Sequence, residues 1–242
     1  MNLFIENIFN IDKAGSSNDA VKELVANTGL TGGVAVLVKN QTNGRGQKGN
    51  KWLSEVGKNL TFSILVNPAI KPQNQFYLSK YVAITCFRFI SEYCENVKIK
   101  WPNDIYVNNK KIAGILIENN IQEGFVKQSV IGIGININQK KFDNNINATS
   151  FTLENNDKNY DILKLFNLFV EKFNDNLSFF HNYRLLDAVY HNNLYLINKP
   201  HIFTTPAGEK FEGIIKGTSQ AGNLQVYING NIKEFGLKEI IF

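Results

Sequence analysis

The densest concentration of chemistry in the chain is Gly44-Arg45-Gly46-Gln47-Lys48-Gly49-Asn50-Lys51-Trp52. Three glycines let a backbone turn sharply and approach a ligand, because glycine takes positive φ without a Cβ clash. Interleaved Arg45, Lys48 and Lys51 supply a guanidinium fork and two ammonium groups. With backbone N–H groups these suit a phosphate-bearing ligand. Trp52 adds a flat apolar face that can stack on a ring or wall it off. The spelling is neither the P-loop G-x-x-x-x-G-K-[ST] nor the G-x-G-x-x-G of dinucleotide folds. A basic surface hairpin is the structural alternative.

Three further stretches carry candidate groups. Lys100-Trp101-Pro102-Asn103-Asp104 reads as a strand broken by proline, which leaves Asn103 and Asp104 just outside the ladder. Residues 104–118 read as two strands around Asn108-Asn109, with Lys111 at the start of the second. The small pair Ala113-Gly114 leaves room for a ligand beside that lysine. In residues 129–137, Gly132 and Gly134 fall on one face of an otherwise β-branched strand, which signals close approach of a ligand or another backbone.

The elements that must position these groups follow from periodicity. A short opening strand leads to a turn at Ala14-Gly15, and Ser16-Ser17-Asn18-Asp19 precede a helix with Ala20, Val21, Leu24 and Val25 on one face. Capping is the simple role for Ser17 and Asn18; a ligand contact from the helix start is the other. Residues 33–39 and 59–66 are apolar runs of strand length, so the Gly-rich segment joins two strands. Residues 72–95 predict a long helix apolar on more than one side, and so well buried. Residues 139–150, Asn-rich and without periodicity, predict a loop whose order depends on ligand. Helical spacing returns over 160–180 and 185–196. From Lys199 onward short strands alternate with Pro206-Ala207-Gly208, Gly222-Asn223 and Asn229-Gly230, the texture of a small β-barrel docked on a larger domain.

Composition narrows the function classes. The chain has 242 residues, 43% hydrophobic, with a net charge of +5 carried almost entirely by lysine. The arginines are Arg45, Arg88 and Arg184 alone, so the one in the Gly-rich loop stands out. Lysines are spread rather than clustered, and neither zinc spacing nor a DNA-binding helix pair opens the chain, so no nucleic-acid partner is expected. Cys86 and Cys94 lie eight apart in a helical stretch, about 12 Å along a helix and too far for a disulfide. A reduced cytoplasmic protein is expected, with neither secretion signal nor membrane span.

In order and spacing, these features resemble the biotin protein ligases across nearly the whole chain, from Ser16 to the terminal β module. K-W-P-N-D followed by K-x-A-G-I-L, here from Lys100 and from Lys111, is the most specific part. The resemblance implies an α+β fold: a class II aminoacyl-tRNA synthetase-like mixed sheet with flanking helices (residues 1–197), then a small SH3-like β-barrel (198–242). It implies ATP-dependent activation of biotin as biotinyl-5′-AMP with Mg²⁺, then transfer to a lysine of a biotin carboxyl carrier domain of a carboxylase. Because the chain starts at the catalytic core, the form without an N-terminal DNA-binding domain is expected, as monomer or homodimer.

By the same resemblance Lys111 is the catalytic lysine, and Arg45 handles pyrophosphate and the adenylate phosphate. Ser17, Asn18, Gln41, Gly114, Ile115, Gly132 and Gly134 surround biotin. Gln47, Lys48, Trp52, Asn103 and Asn136 serve the nucleotide, and Asp104 is a Mg²⁺ ligand or a turn carboxylate. Two departures stand out. Gln47 replaces a common arginine that retains the adenylate, a charge that Lys48 or Lys51 could supply. Ser17 replaces threonine. The alternatives are a lipoate or octanoate ligase of the same core, and a non-catalytic nucleotide-binding module.

Overall fold

The computed structural model describes residues 2–143 and 145–242, with the side chain of Lys48 left out. A seven-stranded mixed sheet is formed by β1 (Asn7–Ala14), β2 (Val34–Gln41), β3 (Leu60–Val66), β4 (Val97–Lys100), β5 (Asp104–Val107), β6 (Lys110–Gln122) and β7 (Phe125–Ile135). Their order is β1-β2-β3-β7-β6-β5-β4. β1 pairs parallel with β2, and every other pairing is antiparallel.

Both faces of this sheet are covered, which is why β2 and β3 read as continuous apolar runs instead of alternating. On one face Ala20 and Val21 of α1 (Ser17–Thr28) meet Val34, Val36, Val38, Leu65 and Val130. On the other, α2 (Gln75–Ser91) and α4 (Ile162–Asp175) bring Tyr81, Phe89, Phe166 and Phe169 onto Phe62 and Ile64. Phe62 meets Phe166 and Phe169 edge-to-face at centroid distances of 5.2 and 4.9 Å. Short helices α3 (Phe151–Glu154), α5 (Leu177–His181) and α6 (Tyr183–Asn192) complete the helical layer. The helical stretch expected over 160–180 is interrupted at Asn176, which is the C-cap of α4. Cys94 lies past the end of α2, and both cysteines are buried and free. Burial pushes the Cys94 thiol up to about 12.

The C-terminal strands β8 (Pro200–Thr204), β9 (Lys210–Thr218), β10 (Leu224–Ile228) and β11 (Asn231–Phe235) form a second, antiparallel sheet. Asn229 and Gly230 both take positive φ in its last hairpin, the geometry a two-residue turn between twisted strands requires. Phe203, Ile215, Leu224 and Val226 continue the main core rather than closing a separate one. Trp101 fixes the joint by donating its indole N–H to the Gly222 carbonyl at 2.8 Å. Among the described residues no helix is long and apolar enough to cross a membrane.

Candidate active site

α1 covers only part of its sheet face. Where the helix begins, the face opens into a cavity of about 620 Å³, roofed by the Gly-rich loop and by residues 206, 237, 238 and 240–242. Direct pairing fixes its floor. Thr61 opposes Gly134, Gly134 opposes Gly114, Gly114 opposes Asp104, and Asp104 opposes Lys100. One cross-strand row, about 19 Å long at the usual spacing between strands, therefore carries two glycines, a carboxylate and a lysine on one face.

At the β2–β3 end the groups are neutral. Ser17 and Asn18 are buried, at 6% and 2% exposure, and neither caps the helix as the simple reading expected. Instead Ser63 Oγ lies 2.8 Å from Ser17 Oγ and 2.6 Å from Asn18 Oδ1. Gln41 takes over the capping task from a different strand, accepting the Ser17 backbone N–H at 2.8 Å. Asn18 Nδ2 is buried without a partner among the described residues, a donor at the wall of the cavity. A methyl on Gly132 would stand 2.4 Å from Asn18 Oδ1, so glycine there is a condition of this arrangement.

The middle is flat and apolar. The indole of Trp52 lies on the glycine row: a Cβ on Gly134 would sit 2.3 Å from the ring, and one on Gly114 3.0 Å. The Gly-rich segment is a hairpin: Trp52 N–H donates to Gly44 O, Gly46 N–H to Asn50 O, and Arg45 bridges Lys51. Gly44 has no room for a side chain, since a Cβ would lie 2.3 Å from Trp52 O.

Charge gathers next to the glycines. Lys111 Nζ lies 2.7 Å from Asp104 Oδ1, an ion pair without the alignment of a hydrogen bond, and 5.6 Å from the Trp52 ring centroid. Alternation from Gly114 would place Lys111 on the opposite face. A β-bulge prevents this: Ile105 opposes Ala113 while Tyr106 opposes Lys111, leaving Ile112 as the additional residue, fully buried on the core side. Re-aiming a side chain is a standard use of such a bulge. Its backbone is held from outside the sheet, Lys111 N–H donating to Asn147 O and Lys111 O accepting from Thr149 N–H.

Arg45 makes a bidentate pair with Asp19 at 2.5 and 2.7 Å and approaches Glu118 at 3.5 Å. The hydrogen bonds with Asp19 raise the guanidinium pKa, and that guanidinium holds the Asp19 carboxyl below its usual range. Glu118 is shared with Lys22.

The remaining expected residues divide. Gln47, Asn103 and Ile115 line the cavity, and the Asn103 amide also donates to the Ile115 carbonyl at 2.7 Å. Asn136 is not on the cavity wall; its buried amide donates to Thr149 O. The Lys48 side chain lies outside the described residues. Ser63, Asp19 and Glu118 escaped the sequence reading, since a serine in an apolar strand and acids on helix and strand surfaces carry no motif.

The family model for the biotin/lipoate A/B protein ligases matches residues 13–136, just over half of the chain and all of the cavity floor. The chain belongs to this family. Among curated relatives, the bifunctional ligase/repressor BirA of Bacillus subtilis is 36% identical over 129 residues, covering 53% of this chain and 40% of that protein. The biotin–[acetyl-CoA-carboxylase] ligase of Paracoccus denitrificans is 32% identical over 112 residues, 45% of this chain and 46% of its own. The matched region thus spans less than half of either relative. The biotin protein ligase of Aquifex aeolicus, solved with biotin and ATP, superposes with a TM-score of 0.78 at 25% identity over 98% of both chains. That likeness extends through the C-terminal sheet and agrees with the expected α+β class.

Proposed function

We propose that the chain is an ATP-dependent biotin protein ligase, with residues 1–197 as its catalytic domain and 198–242 as a β module that closes the cavity. One observation carries the reading: a single cavity offers a neutral hydrogen-bonding end, a flat glycine floor and a lysine–aspartate pair, in that order along one sheet. A ureido ring asks for neutral donors and acceptors, which Ser17, Asn18 and Gln41 supply. A dithiolane ring would leave the buried Asn18 amide nitrogen without an acceptor, at a cost of about 1–3 kcal/mol, so biotin is favoured over lipoate.

In the first step a biotin carboxylate oxygen attacks the α-phosphorus of ATP and pyrophosphate leaves. Two anions must meet, and Lys111 is placed to offset their charge as it concentrates on the α-phosphate. Arg45 exchanges part of its pairing with Asp19 and Glu118 for phosphate oxygens. In the second step the amine of a carrier lysine attacks the acyl carbon, AMP leaves and the amine proton is lost. Among the described residues no three His, Cys, Asp or Glu side chains gather as a metal cage. Asp104 is the carboxylate on the cavity wall, which suits a Mg²⁺ ion held mainly by nucleotide phosphates and water. Mass spectrometry of a biotin carboxyl carrier domain incubated with the chain, ATP, Mg²⁺ and biotin tests the proposal; an unmodified carrier would end it. Exchange of labelled pyrophosphate into ATP that depends on biotin and not lipoate separates the two family chemistries.

Two further outcomes are expected. Gln47 lines the cavity where an arginine would hold the adenylate. Gln47→Gly should raise biotin leakage onto lysines of a bystander protein severalfold; unchanged labelling would remove Gln47 from retention. The Asn-rich loop is anchored at one end by Gln139, which accepts from Asn59 at 2.6 Å, and at the other by Asn147 and Thr149 on Lys111. Its amides should gain protection from hydrogen exchange when biotin and ATP are both present, and equal exchange with and without them would count against ligand-dependent ordering.

A further inference from the structure

The helical layer meets the C-terminal sheet through a histidine. His191, half-buried near the end of α6, accepts the Thr218 backbone N–H on its Nε2 at 3.2 Å, and the Thr218 hydroxyl lies 3.0 Å from the same nitrogen. A ring nitrogen that accepts is unprotonated, so the neutral ring carries its proton on Nδ1. Thr218 is buried, and a Cβ on Gly217 would stand 3.3 Å from Nε2, so the end of β9 is pressed against the ring. Two other pins of this joint, Trp101 to the Gly222 carbonyl and Gln220 to Asn74 Oδ1 at 2.8 Å, are made by an indole and by amides, which do not titrate.

The surroundings of the ring oppose a charge on it. From α2 comes Lys80, 2% exposed, its ammonium 2.7 Å from Asp187 Oδ1 and boxed by the rings of Phe76, Tyr77 and Tyr190 at 5.2, 5.9 and 5.4 Å. From α6 itself come Asp187, already engaged by that lysine, and Tyr190, whose phenol burial pushes up and so keeps neutral. β9 brings Gly217 and Thr218, while the Lys216 amine turns to Asn198 Oδ1 at 3.0 Å. Burial lowers the His191 pKa, Lys80 acts in the same direction and Asp187 opposes. The neutral ring therefore steadies the joint fully above the ordinary histidine value, and that contribution is lost as pH falls through the lowered one. We infer that His191 is a proton-sensitive seat for the C-terminal sheet: a proton on Nε2 turns the acceptor into a donor, leaves the Thr218 N–H unpaired, and loosens the module that roofs the cavity at residues 206, 237, 238 and 240–242. The seat works without any ligand, so its failure and that of the ligase reading are separate results.

Hydrogen exchange of the full chain without ligand, converted to protection factors at each pH, reads the seat at two amides: that of Thr218, and that of Ile241, which donates to Thr204 O in the roof. From about pH 7.5 to about pH 5, protection at both should fall about tenfold to a hundredfold, the range of one buried N–H left unpaired. Amides of β3 and β7 should change by less than about threefold. NMR of the histidine rings should show His191 protonated on Nδ1 at the upper pH, with a titration midpoint that coincides with the loss of protection. His191→Gln places a neutral amide oxygen where Nε2 accepts, and should keep protection level across the range. Lys80→Met removes the neighbouring cation and should move the midpoint to higher pH. A ring protonated on Nε2 at the upper pH, a loss that persists in His191→Gln, or an equal loss in β3 and β7 would overturn the inference. Should His191→Gln fail to fold, a wild-type loss that does not track the His191 titration overturns it by itself.

Discussion

Lys111→Ala should slow biotin-dependent exchange of pyrophosphate into ATP by about 10²–10³, the loss typical of removing one donor that faces developing negative charge. The fold should survive, because β6 is held at this point by backbone bonds to Asn147 and Thr149 that do not involve the side chain. Arg45 and Lys100 remain on the cavity wall, so binding of ATP should weaken less than the rate falls. That split identifies a group whose interaction strengthens in the transition state. Near-normal exchange in a variant with native melting behaviour would remove Lys111 from the chemistry.

The second large effect is expected at a residue with no side chain. In Gly132→Ala the new methyl would stand 2.4 Å from Asn18 Oδ1, and Asn18 cannot simply rotate away because Ser63 Oγ holds that oxygen at 2.6 Å. The amide must leave, taking its unpaired Nδ2 with it, and biotin affinity should fall about tenfold to a hundredfold by loss of hydrogen bonds in a buried site. Fluorescence or calorimetric titration with biotin measures this. The double variant Gly132→Ala with Asn18→Ala should bind no worse than Asn18→Ala alone, since the clash disappears with the amide. Unchanged biotin affinity in Gly132→Ala would mean that Asn18 does not face the vitamin.

Much of this site was readable because it is written in residue types that have few other uses. Two glycines on one face of a β-branched strand have to admit something, and here they admit Asn18 and the Trp52 indole. Asn108-Asn109 takes positive φ at both positions, as a tight hairpin needs. What stayed hidden depends on contacts distant in sequence. Ser17 looks like a cap until Gln41, 24 residues away, is seen accepting its N–H. Ser63 resembles any small residue in an apolar strand, and only the pairing of β3 with β7 sets it opposite Gly132. Asp19 and Glu118 carry no motif, although both meet the guanidinium of Arg45. Asn136 shares its strand's motif, yet its amide is spent on Thr149 O.

The single surplus residue at Ile112 gives Lys111 an unusual vulnerability. Its chemical identity is not enough; it must also be counted correctly from the Asn108-Asn109 corner. Were the same residues paired without the bulge, Lys111 and Gly114 would stand on opposite faces of the sheet, with every motif still legible in the sequence. A shift of register in this short ribbon is therefore a route to inactive descendants that sequence matching alone would still count as ligases.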